Sequence, residues 1–331
     1  MKKTVLLAAA LLAAGCQRPT PGGGIMLVVG EKVSSTVGFY SHDGKRLGAA
    51  EAGKHPHEIA ISPDGAYAYV SDNGILWMTD PGEGGNTISI IDLAQRKRAG
   101  VIDLGRYRRP HGMDIDPRTG RMVVTVENPD GLLLLDLKDR KVLRFYDVKG
   151  TSPHMVRLGP GAVSAYVSNT RSGTLAAVHL DSGEVKLIPT GARPQGAVLS
   201  GDGKLLYLTN SDGNSLSIVD TAKNDRVGVI ATGKGPGRIA LTPDGATLVY
   251  NLQAGHAIGF ASVPERREVA QVALEGPPLS LHLSADGTTA YAGVQSLDKI
   301  YLVSVPDRRI VRVIEGAKGS GPDPVVPVRS P

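Results

Sequence analysis

The chain has 331 residues, a formal net charge of +5, 41% hydrophobic and only 4% aromatic residues, 42 glycines, 22 prolines and one cysteine. A single cysteine excludes disulfides, zinc ribbons, thiol catalysis paired with a second Cys, and CxxCH haem attachment, while this much Gly and Pro favours tight turns over long helices. Charges of both signs are interspersed and no basic run carries stacking aromatics, so nucleic acid is not expected as a partner.

In chain order, "MKK" is a positive n-region, "TVLLAAALLAA" an apolar h-region too short to span a membrane, and "AAGC" a small-residue end. Small residues directly before a cysteine resemble a bacterial lipobox, with Ala13 where Leu is commoner. On this resemblance residues 1–15 are a lipoprotein signal peptide, Cys16 is the lipidated first residue, and residues 16–24 form the lipidated Cys and a flexible tether. Several acyl chains would hold the chain on a membrane, since one alone binds marginally. Gln17 rather than Asp after the cysteine implies, by resemblance to Gram-negative lipoproteins, the outer membrane facing the periplasm. The plainer alternative is an ordinary signal peptide with a chance cysteine.

Beyond the tether the chain repeats itself. "PHEIAISPDG", "PHGMDIDPRTG", "PHMVRLGPG", "PQGAVLSGDG", "PGRIALTPDG" and "PLSLHLSADG" start at Pro56, Pro110, Pro153, Pro194, Pro236 and Pro278, at spacings of 54, 43, 41, 42 and 42 residues. Three further β-rich runs follow each anchor, as in "KLLYLTN", "SLSIVD" and "RVGVIATG". Four strands per repeat of this length predict a propeller blade. Residues 25–53 hold only three strands, "IMLVVGE", "STVGFYS" and "LGAAEAG", and the C-terminus holds one, "GPDPVVPV", whose Pro322 lies 44 residues after Pro278. Residues 25–331 therefore predict a single all-β domain: a seven-bladed β-propeller with four antiparallel strands per blade, closed by a blade made of 25–53 plus 320–329. Closure leaves no open ring edge. Asp-Gly pairs at 64–65, 130–131, 202–203, 212–213, 244–245 and 286–287 are expected to be hairpin turns rather than calcium loops.

"SPDGAYAYVSDN", "NTISIIDL" and "KLLYLTNSDGNSLSIVDTAKNDRVGVIATG" resemble YVTN-type β-propeller repeats of bacterial surface and periplasmic proteins. The resemblance covers residues 25–328. It implies the fold but not the function, because such propellers carry binding modules, lyases, lactonases and oxidoreductases.

His57, His111 and His154 each follow an anchor proline at the start of an innermost strand. Strand polarity places all three at one height on the channel rim, on three consecutive blades; the other four blades carry Gln195, Gly237, Leu279 and Asp323 there. The same face should receive the insertion "NGILWMTDPGEGG" with the sole tryptophan, Trp77, together with Glu127 behind His111, and Glu58, Arg108, Arg109 and Gln195 at the entrance, with His55 and Ser152 nearby. The YVTN resemblance makes "KHPHE", "YRRPHG", "TVE" and "SPHMV" look like a subgroup signature in which a Glu would stand where this chain has Gln195. His42, His179, His256 and His282 are expected at the surface or between blades.

Two functions follow. One is an envelope-anchored monomer that binds a small molecule or an envelope protein at the histidine face. The other is a metal-dependent enzyme, a hydrolase, lyase or oxidoreductase, with His57, His111 and His154 holding one divalent transition metal, Glu58 or Glu127 as general base and Arg109 steadying an anionic intermediate. A purely structural role, each histidine bonding a backbone carbonyl to lock a loop, stands against both. No GxSxG, P-loop or GxGxxG before a helix occurs, so nothing points to nucleotide or flavin, just as nothing points to haem c.

Overall fold

The computed structural model describes residues 25–328. The expected signal peptide, Cys16, the expected tether and the last three residues lie outside them. Seven four-stranded antiparallel sheets make up the fold. Counting from the first complete repeat, the innermost strands of blades one to seven are Pro56–Ile61, Arg108–Ile115, Pro153–Leu158, Pro194–Leu199, Pro236–Leu241, His282–Leu283 and Pro322–Pro327. The seventh joins Pro322–Pro327 to Ile25–Glu31, Thr36–Ser41 and Arg46–Glu51, so the ring closes as the repeat count predicts. Gly30 permits that closure: a Cβ there would sit 2.6 Å from the Pro324 ring.

The second and third strands of each blade are buried on both faces, as in Tyr67–Asp72 and Thr87–Asp92, so they read as apolar runs rather than alternations. The core therefore lies between blades. Leu132 and Leu134 of blade two, for instance, pack with Val156, Val167 and Ala176 of blade three. The outermost strand offers an unpaired edge, and the chain protects it with charge ("KRAGVID", "REVAQVA") and with register-breaking bulges in six blades.

The Ser/Thr of the "YVSN/YLTN" runs joins neighbouring blades. Thr125 Oγ1 accepts from the Gly112 amide (2.8 Å) and donates to the His154 carbonyl of the next blade (2.7 Å). Ser168 does the same between Met155 N and Gln195 O, and Thr209 between Gly196 N and Gly237 O. Each such hydroxyl holds the innermost strand of two blades at a fixed height. Of the Asp-Gly pairs named above, five lie in turns, but Asp130–Gly131 opens the strand Asp130–Asp136, because the two-residue turn before it is Asn128-Pro129.

Candidate functional site

Directly after the anchor proline, the innermost strand of blades one to five carries a bulge. The ladder breaks between Pro56 and Ile59, Pro110 and Met113, Pro153 and Val156, Pro194 and Ala197, and Pro236 and Ile239. A bulge sets two residues against one and re-aims their side chains. Here it turns the residue after the proline toward the channel mouth and leaves the next one deeper. The mouth positions are His57, His111, His154 and Gln195, all buried. Gly112 is required beside His111, since a Cβ would come within 2.4 Å of the His154 carbonyl oxygen.

The three imidazoles stand in a row. Ring centroids are 4.7 Å apart for His57 and His111, meeting edge to face, and 4.2 Å apart for His111 and His154. Nε2 of His57 donates to the Ile75 carbonyl at 2.6 Å, leaving Nδ1 as an acceptor with no partner. Nδ1 of His154 accepts from Arg238 at 3.5 Å. Burial holds all three well below the usual histidine range; the positive charge of Lys32 acts the same way on each, and that of Arg238 on His111 and His154. They are neutral at pH 7.

Together with Gln195 they wall a cavity of about 170 Å³. Leu76, Trp77 and Met78 of the insertion, which runs between the strands Tyr67–Asp72 and Thr87–Asp92, form its apolar side. Trp77 remains 45% exposed, with Lys32 Nζ 5.7 Å from its ring. Besides Thr79 and Leu279, the wall takes in Lys32, Arg193, Arg238, Gln253 and Asp323. These five were not assigned to the site from sequence. Asp323 holds the histidine-equivalent place in the closing blade, which was the available signal. Arg238 is the second bulge residue of blade five, and Lys32 directly follows the strand Ile25–Glu31.

Other expected residues lie elsewhere. Arg109 points away from the cavity into the insertion, where it donates to the Asp80 (3.0 Å) and Gly82 (2.7 Å) carbonyls and meets Glu127 at 3.5 Å. Arg108 donates to the Gly84 carbonyl and pairs with Glu83 at 3.4 Å. Both arginines are occupied holding the loop that carries Trp77. Glu127 sits behind His111, its Oε1 3.6 Å from Nδ1, and burial raises its carboxyl against the opposing pull of Arg109. Glu58 occupies the deeper bulge position and pairs with Arg238 across the channel. Burial also raises Glu58, with Arg238 pulling it back.

The Glu58–Arg238 pair separates the histidine cavity from a second one below it, of about 160 Å³, lined by Arg157 and His282. His282 is therefore a channel residue, not a surface or inter-blade one. His55 Nδ1 bonds the Lys32 carbonyl at 3.0 Å, and Ser152 contributes its backbone amide to Asp130.

The histidines gather, but their nitrogens do not converge as a ligand set. One is spent on a carbonyl, another faces a guanidinium, and the positive field of Lys32 and Arg238 opposes a dication. Among the described residues no group of three or more His, Cys, Asp or Glu side chains is arranged to hold a metal.

No family model matches the chain, and no curated relative matches it. Solved structures do match in fold. Hydrazine synthase of Kuenenia stuttgartiensis aligns with TM-score 0.72 at 16% identity over 90% of this chain and 99% of that one. A functionally unknown protein from Desulfotomaculum acetoxidans aligns with TM-score 0.76 at 15% identity, over 93% and 100%. The dihydro-haem d1 dehydrogenase NirN, in complex with DHE, aligns with TM-score 0.64 at 15% identity, over 89% of this chain and 64% of that one. At these identities the likeness establishes the propeller and nothing finer.

Proposed function

We propose that this chain is an envelope-anchored β-propeller that binds a small polar ligand in the histidine-walled cavity at the channel mouth. One observation carries the reading: three neutral, buried imidazoles on consecutive blades share a cavity with an insertion found in only one blade. A fold needs no such expense of buried polar side chains at positions where two of its other blades use Gly237 and Leu279. A binding role fits better than catalysis, because Glu127 and Arg109 are engaged with each other and with the insertion, and Glu58 with Arg238.

The sole tryptophan in the cavity wall supplies the test. Fluorescence of the purified full-length protein is titrated with inorganic anions, carboxylates, amino acids, sugars and divalent zinc, copper and nickel. A saturable response to one class is expected in the wild type and absent in the His57→Ala/His111→Ala/His154→Ala variant. A response that survives in the triple variant, or none to any class, overturns the reading. A response to metal alone would instead favour a metal centre formed by rotation of the three rings.

Anchoring rests on "AAGC" and Cys16. Cys16→Ser is expected to move the protein from the membrane to the soluble fraction; unchanged fractionation sinks the lipid anchor. The strand Ile25–Glu31 begins at the end of the propeller opposite the histidines, as strand polarity requires. A tether at that end would present the cavity away from the membrane.

A further inference from the structure

The cavity wall combines two features that select different things. Three cationic side chains, Lys32, Arg193 and Arg238, line it beside one carboxylate, Asp323. Lys32 meets Asp323 at 3.3 Å, Arg193 meets the exposed Asp212 at 3.6 Å and Arg238 pairs with Glu58, and each cation keeps further N–H donors. Such a wall favours an anion. Yet two of its buried polar atoms are acceptors without partners. Asp323 Oδ2 takes Lys32 Nζ at 3.3 Å, but Oδ1 has no hydrogen bond. Nδ1 of His57 is likewise unpartnered, and its tautomer is fixed as an acceptor because Nε2 donates to Ile75. His57 is 3% and Asp323 4% exposed, so bulk water does not serve them.

An anion without a hydrogen of its own would meet those lone pairs repulsively, whereas a single O–H satisfies one of the two acceptors, a difference of about 1–3 kcal/mol. An anion that keeps a hydroxyl proton can take the cations with its charged oxygens and donate its O–H to an acceptor. Size narrows the class further. About 170 Å³ is room for roughly five or six waters at ~30 Å³ each, well below the ~300 Å³ of pockets for larger ligands.

Resting on the binding role proposed above, we infer that the ligand is a compact oxyanion that carries its own proton, the class of hydrogenphosphate and hydrogencarbonate, and that Asp323 and His57 are the residues that select for that proton. Sulfate and nitrate are the matching tetrahedral and trigonal anions without one at neutral pH. Discrimination then comes from buried lone pairs left unpaired or repelled, the kind of selection that reaches large factors.

Calorimetric titration of the full-length protein at pH 7 and constant ionic strength compares phosphate with sulfate and hydrogencarbonate with nitrate. One proton-bearing anion is expected to bind saturably, at least ~100-fold more tightly than its proton-free counterpart, and not to bind the triple histidine variant. Asp323→Asn turns the spare acceptor into a position able to donate, and should bring the two anions of that pair within roughly tenfold of one another. Equal binding of both members of each pair overturns the inference, as does a preference that Asp323→Asn and His57→Phe both leave unchanged. If neither proton-bearing anion binds while another solute still quenches Trp77, the inference fails and the binding role stands. The wild-type comparison needs no variant, so poor folding of Asp323→Asn would not rescue the idea.

Discussion

Glu58 and Arg238 occupy the same bulge position on blades one and five, and Gly112 and Gly196 hold it on blades two and four. At Gly112 and Gly196 a Cβ would come within 2.4 Å of the His154 and 2.5 Å of the Gly237 carbonyl oxygen, so those glycines set the spacing between blades, while the two long charged side chains reach each other across the channel. The pair is buried, with Glu58 5% and Arg238 9% exposed, and Arg238 also steadies His154. A buried pair gives little net stability over an apolar replacement, but removing one partner strands the other charge at about 3–5 kcal/mol. Arg238→Met should therefore lower stability by about that amount in chemical denaturation, less if Glu58 takes up a proton, as its raised pKa favours. Glu58→Leu/Arg238→Met should recover most of the loss. A single variant within ~1 kcal/mol of the wild type would show the pair to behave like an exposed one.

Elements were legible where the repeat speaks and illegible where one blade departs from it. "IMLVVGE" forms the strand Ile25–Glu31, and "GPDPVVPV" supplies Pro322–Pro327 as the innermost strand of the closing blade. The phase of His57, His111 and His154 after their prolines was enough to bring them together, since strand direction sets height on the rim. What phase does not give is the direction of a side chain on a bulge. His57 and Glu58 are neighbours, yet one walls the upper cavity and the other the lower. Nor does it give the path of an insertion without counterparts. Arg108 and Arg109 were expected to face a ligand because they adjoin His111, but the insertion folds back over them and offers the Asp80, Gly82 and Gly84 carbonyls. Lys32, Arg193 and Gln253 come from three other blades, and only ring closure brings them to one wall.

Across the whole molecule, the channel stores histidines in neutral form, and that makes stability depend on pH. His282, in the lower cavity, is pushed down to about 4, first by burial and then by the positive charge of Arg157 and Arg238. His57, His111 and His154 are held down in the same direction. A group whose pKa is lower folded than unfolded binds fewer protons in the native state, so its contribution is full above the unfolded value near 6.5 and is lost as pH falls toward the folded one. Buried carboxyls work oppositely: Glu58, Glu127 and Asp72 are raised by burial, so they hold protons more readily when folded and soften the acid loss. For His282 alone, the shift from 6.5 to about 4 corresponds to about 3 kcal/mol. His282→Leu removes that term and should flatten the profile between pH 7 and pH 4 by about 3 kcal/mol, on the order of 5 °C in melting temperature for a domain of this size. Melting curves of both proteins at the two pH values decide it. Equal acid losses in wild type and variant would mean that His282 reaches solvent when charged, and that the lower cavity opens to water through the face opposite the three histidines.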